Sequence, residues 1–425
     1  MPIAAIVILA VLFLFELAVA FTVGRLRRDF QWLITPRDER PVLDPEGLKK
    51  FLEHGYDPEL GWIRKPNTSH PEKGKHGSTS YHMDDRGARR HPGLGSLPLK
   101  IACFGDSFTF CRQTNDDETW PWFLASFSGA GVVNFGVGNY GLDQAYIRME
   151  RELGRIDPEI VIMGVVPSTI VRILCVWKHY NEFGNTFGFK PRFDLRDGLL
   201  VRIDNIIDDA SKLGRYEEFL DGIRSNDFFY RTKFRDEMLR FPYLYSVLRK
   251  PGRNIPIITA LLMSKLYRAF GVTNSRIDEY PMMKIMEINR DLRVRLFGER
   301  YSRGIFSALV SKFSRTAEEK GIQPVFLFMP QKDDVLFIRE RGNYYEKVIG
   351  DISNKVLTVD MTEILLGRGD LDELYSDDNV YGGHYSKLGN ELVARTVLNA
   401  LREKGYLSMA AEGEKMTPQS GKHEK

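Results

Sequence analysis

Five short apolar runs, at residues 99–104, 132–135, 160–163, 324–329 and 356–359, alternate with stretches of helical periodicity and limit the possible folds more than any other feature. Strands separated by helices wind into a parallel sheet with helices on its faces. The helix before the fourth run is the clearest: Phe306, Leu309, Val310, Phe313 and Ala317 recur at three- and four-residue spacing, and Gly321 ends it. Ser386 reads as the N-cap of a last helix whose Leu388, Leu392, Val393, Val397 and Leu401 form one stripe before Gly405. The expected fold is therefore α/β, a doubly wound parallel five-stranded sheet within residues 96–405. At 43% hydrophobic in 425 residues, the chain can bury the core that such a sheet needs.

The rest of the chain divides around that unit. Residues 1–28 form an anchor, in which the apolar segment 3–24 is roughly 22 residues long and would rise ~33 Å as a helix, about one hydrocarbon core. It lacks the preceding Lys or Arg of a cleaved signal peptide, although Ala18-Val19-Ala20 offers a small-x-small pattern, so a single uncleaved transmembrane helix is expected. Glu16 lies inside the run, either at an interface, paired in an oligomer, or tolerated. Residues 29–95 read as an irregular segment, 204–299 as a helical insertion, and 406–425 as a disordered tail. The insertion is too long for a simple connection. It is expected either to cap the carboxyl edge of the sheet or to pack beside the core.

Net charge is only +3, so no global field points to nucleic acid. The run Arg86-Gly87-Ala88-Arg89-Arg90 is expected to be a solvated loop. Three cysteines and eight histidines show no ligand spacing, so neither a metal nor another cofactor is expected.

Gly105-Asp106-Ser107 directly follows the first apolar run and puts a serine hydroxyl at the end of a buried strand. Ligands of open parallel sheets bind beyond the carboxyl ends of the strands. Ser107, Gly138, Pro167-Ser168-Thr169 and His384 all fall on that edge. A serine hydroxyl needs a neutral imidazole to take its proton, and His384 in Gly382-Gly383-His384-Tyr385-Ser386 is the candidate.

These blocks, with Val133-Asn134-Phe135-Gly136-Val137-Gly138 between them, resemble the SGNH (GDSL-type) hydrolase superfamily, whose sheet is flavodoxin-like. Phe108-Thr109-Phe110, Glu118-Thr119-Trp120-Pro121, Asn134-Phe135-Gly136 and Lys190-Pro191-Arg192-Phe193 are similar to bacterial members linked to envelope polysaccharides. The resemblance implies Ser107 as nucleophile, the N–H groups of Ser107 and Gly138 as oxyanion donors, with Gly136 the alternative, and His384 as base. Two positions depart from the family. Val166 stands where an oxyanion asparagine is usual, with Ser168, Thr169 or Arg172 as candidate substitutes. Tyr381 stands where the triad acid is usual, leaving Asp378, then Asp377, as candidate acids.

The resulting expectation is a membrane-anchored serine esterase acting on an acyl ester, in particular an O-acetyl ester on a saccharide. The alternatives are an O-acyltransferase of polysaccharide biosynthesis and a non-catalytic glycan-binding or scaffold protein. Arg25, Arg27 and Arg28 after the apolar segment favour a cytoplasmic domain, whereas the envelope resemblance favours the opposite side.

Overall fold

A computed structural model describes residues 3–74, 77–377 and 383–408. Its central sheet has five parallel strands, β1 (Leu99–Gly105), β2 (Gly131–Asn134), β3 (Ile160–Val165), β4 (Gln323–Phe328) and β5 (Leu357–Asp360). They lie in the order β5-β4-β3-β1-β2, so all five apolar runs became strands of one sheet. The order reverses direction between β1 and β3, which opens a crevice at their carboxyl ends.

The helices used below are α1 (Ile3–Leu26), α2 (Ser107–Phe110), α3 (Trp120–Ser128), α4 (Leu142–Glu152), α5 (Tyr243–Arg249), α6 (Pro251–Ala269), α7 (Ser275–Gly298), α8 (Arg300–Glu318) and α9 (Lys387–Glu403). Period-two alternation divides each central strand between two cores. Phe104, Met163 and Phe326 face one core with α4 and α8, whereas Cys103, Ile162 and Val325 face the other with α3 and α9. Ser386 caps α9 as expected, its side chain accepting from the Gly389 N–H at 3.2 Å.

The segment 29–95 is more ordered than its sequence suggests. It holds the helix Pro45–His54, started by Asp44 accepting from the Gly47 N–H at 2.8 Å, and the antiparallel pairs Tyr56–Asp57 with Gly61–Trp62 and Ser69–Gly74 with Gly77–His82. Two-residue strands are too short to show a period. The basic run at 86–90 is also corrected: Arg89 is buried, not solvated. Its guanidinium donates to Asp116 Oδ1 at 2.9 Å and to the Phe110 carbonyl at 2.7 Å, which ties the end of α2 to the neighbouring loop.

The insertion is helical. Helices α5 to α7 pack against the inner end of α1 around Val23, Leu26, Leu239, Ile257 and Ile285, while Leu292 and Leu296 of α7 join the main core. Helix α1 is long and apolar enough to cross a membrane. The expected tail falls largely on residues 409–425, outside the described residues.

Candidate active site

Strand β1 passes so close to β3 that a Cβ on Gly105 would lie 1.9 Å from the Gly164 carbonyl oxygen, and Gly105 adopts φ +156°. The chain can therefore turn directly from β1 into α2 only with glycine there. Asp106 then caps α2, accepting from the Phe108 N–H at 2.8 Å. Its other oxygen accepts from the Val166 N–H and from Arg172 Nη1, both at 3.1 Å. Complete burial pushes the Asp106 carboxyl up, while Arg172 and the N–H donors oppose that shift. Asp106 thus locks the start of α2 to the segment after β3, at Val166 and Arg172.

Ser107 opens α2 and is 6% exposed. Among the described residues its hydroxyl has no hydrogen-bond partner, and its N–H meets no protein acceptor. Trp120 Nε1 donates to the Phe108 carbonyl at 3.1 Å, and Asn134 Nδ2 donates to the Thr109 carbonyl at 2.8 Å. Residues carrying the narrower resemblance therefore hold the short helix that presents the serine.

The segment 133–138 separates its two glycines by role. Gly136 donates its N–H to Asn134 Oδ1 at 2.9 Å, and a Cβ there would lie 2.3 Å from the Phe110 nitrogen. It is a packing glycine. The Gly138 N–H has no protein acceptor among the described residues, and its carbonyl accepts from Trp62 Nε1 at 3.0 Å. Gly138 also lines a cleft of about 370 Å³ with Phe51, Trp62, Arg64, Arg112 and Lys178, and no carboxylate is in that lining. The walls come from segment 51–64 and loop 178–188, with no residue of the insertion.

Just past β3, the Val166 side chain cannot donate and its N–H is held by Asp106. Ser168 donates to Gln331 and accepts from Arg293 Nη1 at 3.0 Å, and Thr169 accepts from the Leu142 N–H at 2.8 Å. Those two hydroxyls are committed elsewhere. Arg172 remains, its Nη1 on Asp106 and on the Tyr140 carbonyl at 3.2 Å. Lys190, in a buried ion pair with Asp143, donates to the Arg172 carbonyl at 3.2 Å and holds that stretch of chain in place.

His384 reaches the site on the loop before α9, with its ring 5.0 Å from that of Phe108, the residue after Ser107. Ser107 and His384 make no hydrogen bond with each other in this state; catalytic bonds of this kind tighten once substrate is bound. His384 Nδ1 lies 2.8 Å from Gln113 Oε1. The other amide atom of Gln113 faces the Asp377 carboxylate, which can only accept, so it is the amide nitrogen; the atom facing His384, which also accepts from Ser376 Oγ at 2.7 Å, is the oxygen, and Nδ1 carries the proton. Nε2 is left with its lone pair. Burial, reinforced by the positive charges of Arg112 and Arg172, pulls the His384 pKa down to about 3, so the ring is neutral near pH 7.

Gln113 therefore occupies the place expected of an acid. Its Nε2 faces the Asp377 carboxylate at 3.4 Å, which puts Asp377 one residue removed from the imidazole. Asp378 lies outside the described residues. Gln113, Arg112, Arg64 and Trp62 were not anticipated from sequence. The available signal for the first two was their position just past the nucleophile helix, where Cys111 and Gln113 both adopt positive φ.

No protein-family profile and no curated protein matches the chain. Among solved structures it is similar to the lipase/acylhydrolase from Enterococcus faecalis, at 12% identity over 76% of this chain and 100% of that one, with a TM-score of 0.34. It is similar to the acetyl xylan esterase AlAXEase at 11% identity over 71% of this chain and 100% of that one, TM-score 0.34. A member of the lipolytic protein G-D-S-L family from Veillonella parvula matches at 10% identity over 71% of this chain and 97% of that one, TM-score 0.31.

Proposed function

We propose that this chain is an SGNH-type serine esterase that forms an acyl-enzyme on Ser107. The observation that carries the reading is the state of His384: neutral, with its Nδ1 proton held by Gln113 and its Nε2 lone pair left over, on the same sheet edge as a serine whose hydroxyl has no hydrogen-bond partner among the described residues. Ser107 Oγ attacks the acyl carbonyl carbon as its proton passes to His384 Nε2. Negative charge on the former carbonyl oxygen is met by the Ser107 and Gly138 N–H groups, and Arg172 supplies the charge that Val166 cannot. Collapse releases the alcohol, which takes the proton from Nε2. Water or a second hydroxyl then attacks the acyl-enzyme, giving hydrolysis or transfer, and Ser107 is restored.

An O-acetyl ester on a saccharide is the proposed substrate. The cleft beside Gly138 supports it, because Trp62 and Phe51 offer flat apolar faces of the kind sugar rings pack on and Arg64 and Arg112 offer donors. We further propose α1 as an uncleaved anchor: cleavage after Ala20 would remove Glu16, which the folded domain uses. A reporter fused after residue 425 decides the side of the membrane.

The reading is tested by acyl-ester turnover of the full chain in detergent, with p-nitrophenyl acetate and acetylated oligosaccharides. Ser107→Ala and His384→Ala are each expected to lose about 10⁴-fold or more in kcat. Equal rates for all three proteins would overturn the mechanism and leave the glycan-binding alternative.

A further inference from the structure

Helix α6 is apolar around most of its circumference, which a surface helix normally is not. Ile257 and Ala260 are buried against its neighbours. On another face Ile255, Leu262, Leu266 and Phe270 recur at spacings of seven, four and four, and all are exposed, Leu266 by 59% and Phe270 by 77%. Phe241 (72%) and Tyr245 continue the exposed apolar surface around α5. Such a face needs a cover, and three observations identify it.

The first is Glu16, inside the apolar run of α1. Its carboxylate is buried and accepts from the backbone N–H groups of Tyr243, in a short contact, and of Leu244, at 2.8 Å. Those are the first N–H groups of α5, which have no partner within the helix. Glu16 precedes Arg25 by nine residues, or ~13 Å along a helix. If α1 crosses a bilayer, the start of α5 therefore sits inside the same leaflet. Backbone at that depth is tolerated only where its polar groups are satisfied by protein, and Glu16 does this.

The second is the level of the other end. Lys265, one residue before Leu266, is ion-paired with Asp29, which lies three residues past the end of α1. The Leu266 end of the exposed stripe of α6 is thus level with the end of the span, where lipid headgroups begin. The third is charge: Arg25 and Arg28 are exposed there and make no ion pair among the described residues, and Arg268, ion-paired with Asp278 at 3.2 Å, is still 62% exposed beside the stripe. An apolar helix face edged by lysine and arginine fits an anionic lipid surface.

We propose that α5 and α6, with the turn leading into α7, are an interfacial hairpin that dips into the bilayer leaflet around the inner half of α1, pinned by Glu16. The proposal rests on α1 as a membrane span but not on the chemistry of Ser107. The hairpin makes the domain a body seated on the membrane, rather than one swinging from a tether, and so restricts the directions from which substrate reaches the cleft.

The three native cysteines are buried, so a thiol-reactive NBD fluorophore reports on single introduced cysteines in the full chain. Leu266→Cys and Phe270→Cys probe the hairpin, Leu12→Cys the span, and Ser225→Cys an exposed polar site. The proteins are reconstituted in vesicles of equal parts phosphatidylcholine and phosphatidylglycerol, with and without doxyl-labelled lipid. The expected result is blue-shifted emission and lipid quenching at 266 and 270 comparable to that at 12, and none at 225. Quenching at 12 alone overturns the hairpin while leaving the anchor, and this includes the case of blue-shifted but unquenched probes at 266 and 270, which would mean protein covers the face. Quenching at none of the sites overturns the anchor reading itself. A second variant, Glu16→Leu, is expected to reduce the quenching at 266 and 270 while that at 12 is kept; unchanged quenching at all sites would remove Glu16 as the pin.

Discussion

The serine and histidine halves of the site are built by opposite means. The serine half is local: Gly105, Asp106 and Ser107 are consecutive, and the close approach of β1 to its parallel neighbour β3 at Gly164 fixes the turn. The histidine half is remote. His384 stands on a loop beyond the last strand and is oriented by Gln113, a residue of the serine half 271 positions earlier. One side chain therefore sets the tautomer of the imidazole proposed as base and couples the halves. A site assembled in this way can keep its nucleophile geometry while its base is altered, and variants can test the halves separately.

The largest effect after loss of the nucleophile or base is expected at Arg172, whose charge belongs to the serine half. Arg172→Met should lower kcat by about 10²–10³-fold, the scale of losing one oxyanion donor, with KM for a small neutral ester little changed. Because Arg172 also holds Asp106, the thermal melt of the same variant must be measured beside it. Melting preserved with activity lost assigns the residue to the reaction.

Gln113→Ala separates the halves. It leaves the turn at Gly105 intact and frees the imidazole, with an expected loss of about 10²-fold, below the ~10⁴ seen where a serine-protease acid is replaced. The pH profile is the sharper readout. With its pKa lowered to about 3, His384 stays neutral as pH falls, so kcat/KM should remain flat down to about pH 4 instead of declining near the ordinary histidine value. Gln113→Glu puts a carboxylate beside Nδ1, which favours the charged ring, so the acid limb should move up. A wild-type limb near pH 6.5 would break the comparison, because the histidine half would then be solvated rather than enclosed.

Asp377→Asn is expected to give the smallest change, within about fivefold, because Asp377 acts on the imidazole only through the Gln113 amide. A loss as large as that of Gln113→Ala would make Asp377 the effective acid.

The same contrast explains what was legible in the sequence. The strands could be read because burial on both faces leaves continuous apolar runs, and Ser386 because a cap acts within three residues. The turn at Gly105-Asp106-Ser107 could be read because it is contiguous. Gln113 could not, since a contact across 271 positions leaves no local period or spacing. Arg89 was misread because its partners, the Asp116 carboxylate and the carbonyls of Phe110 and Thr114, are brought near only by the fold. The walls of the cleft at Trp62 and Arg64 come from strands and loops too short to show a pattern.

The central claim, that Ser107 is a nucleophile activated by His384, is tested most directly by treating the full chain with a fluorophosphonate and locating the adduct by mass spectrometry. The expected result is a single adduct on Ser107, absent in Ser107→Ala and formed far more slowly in His384→Ala. A folded protein that remains unlabelled, or an adduct on another residue, would contradict it.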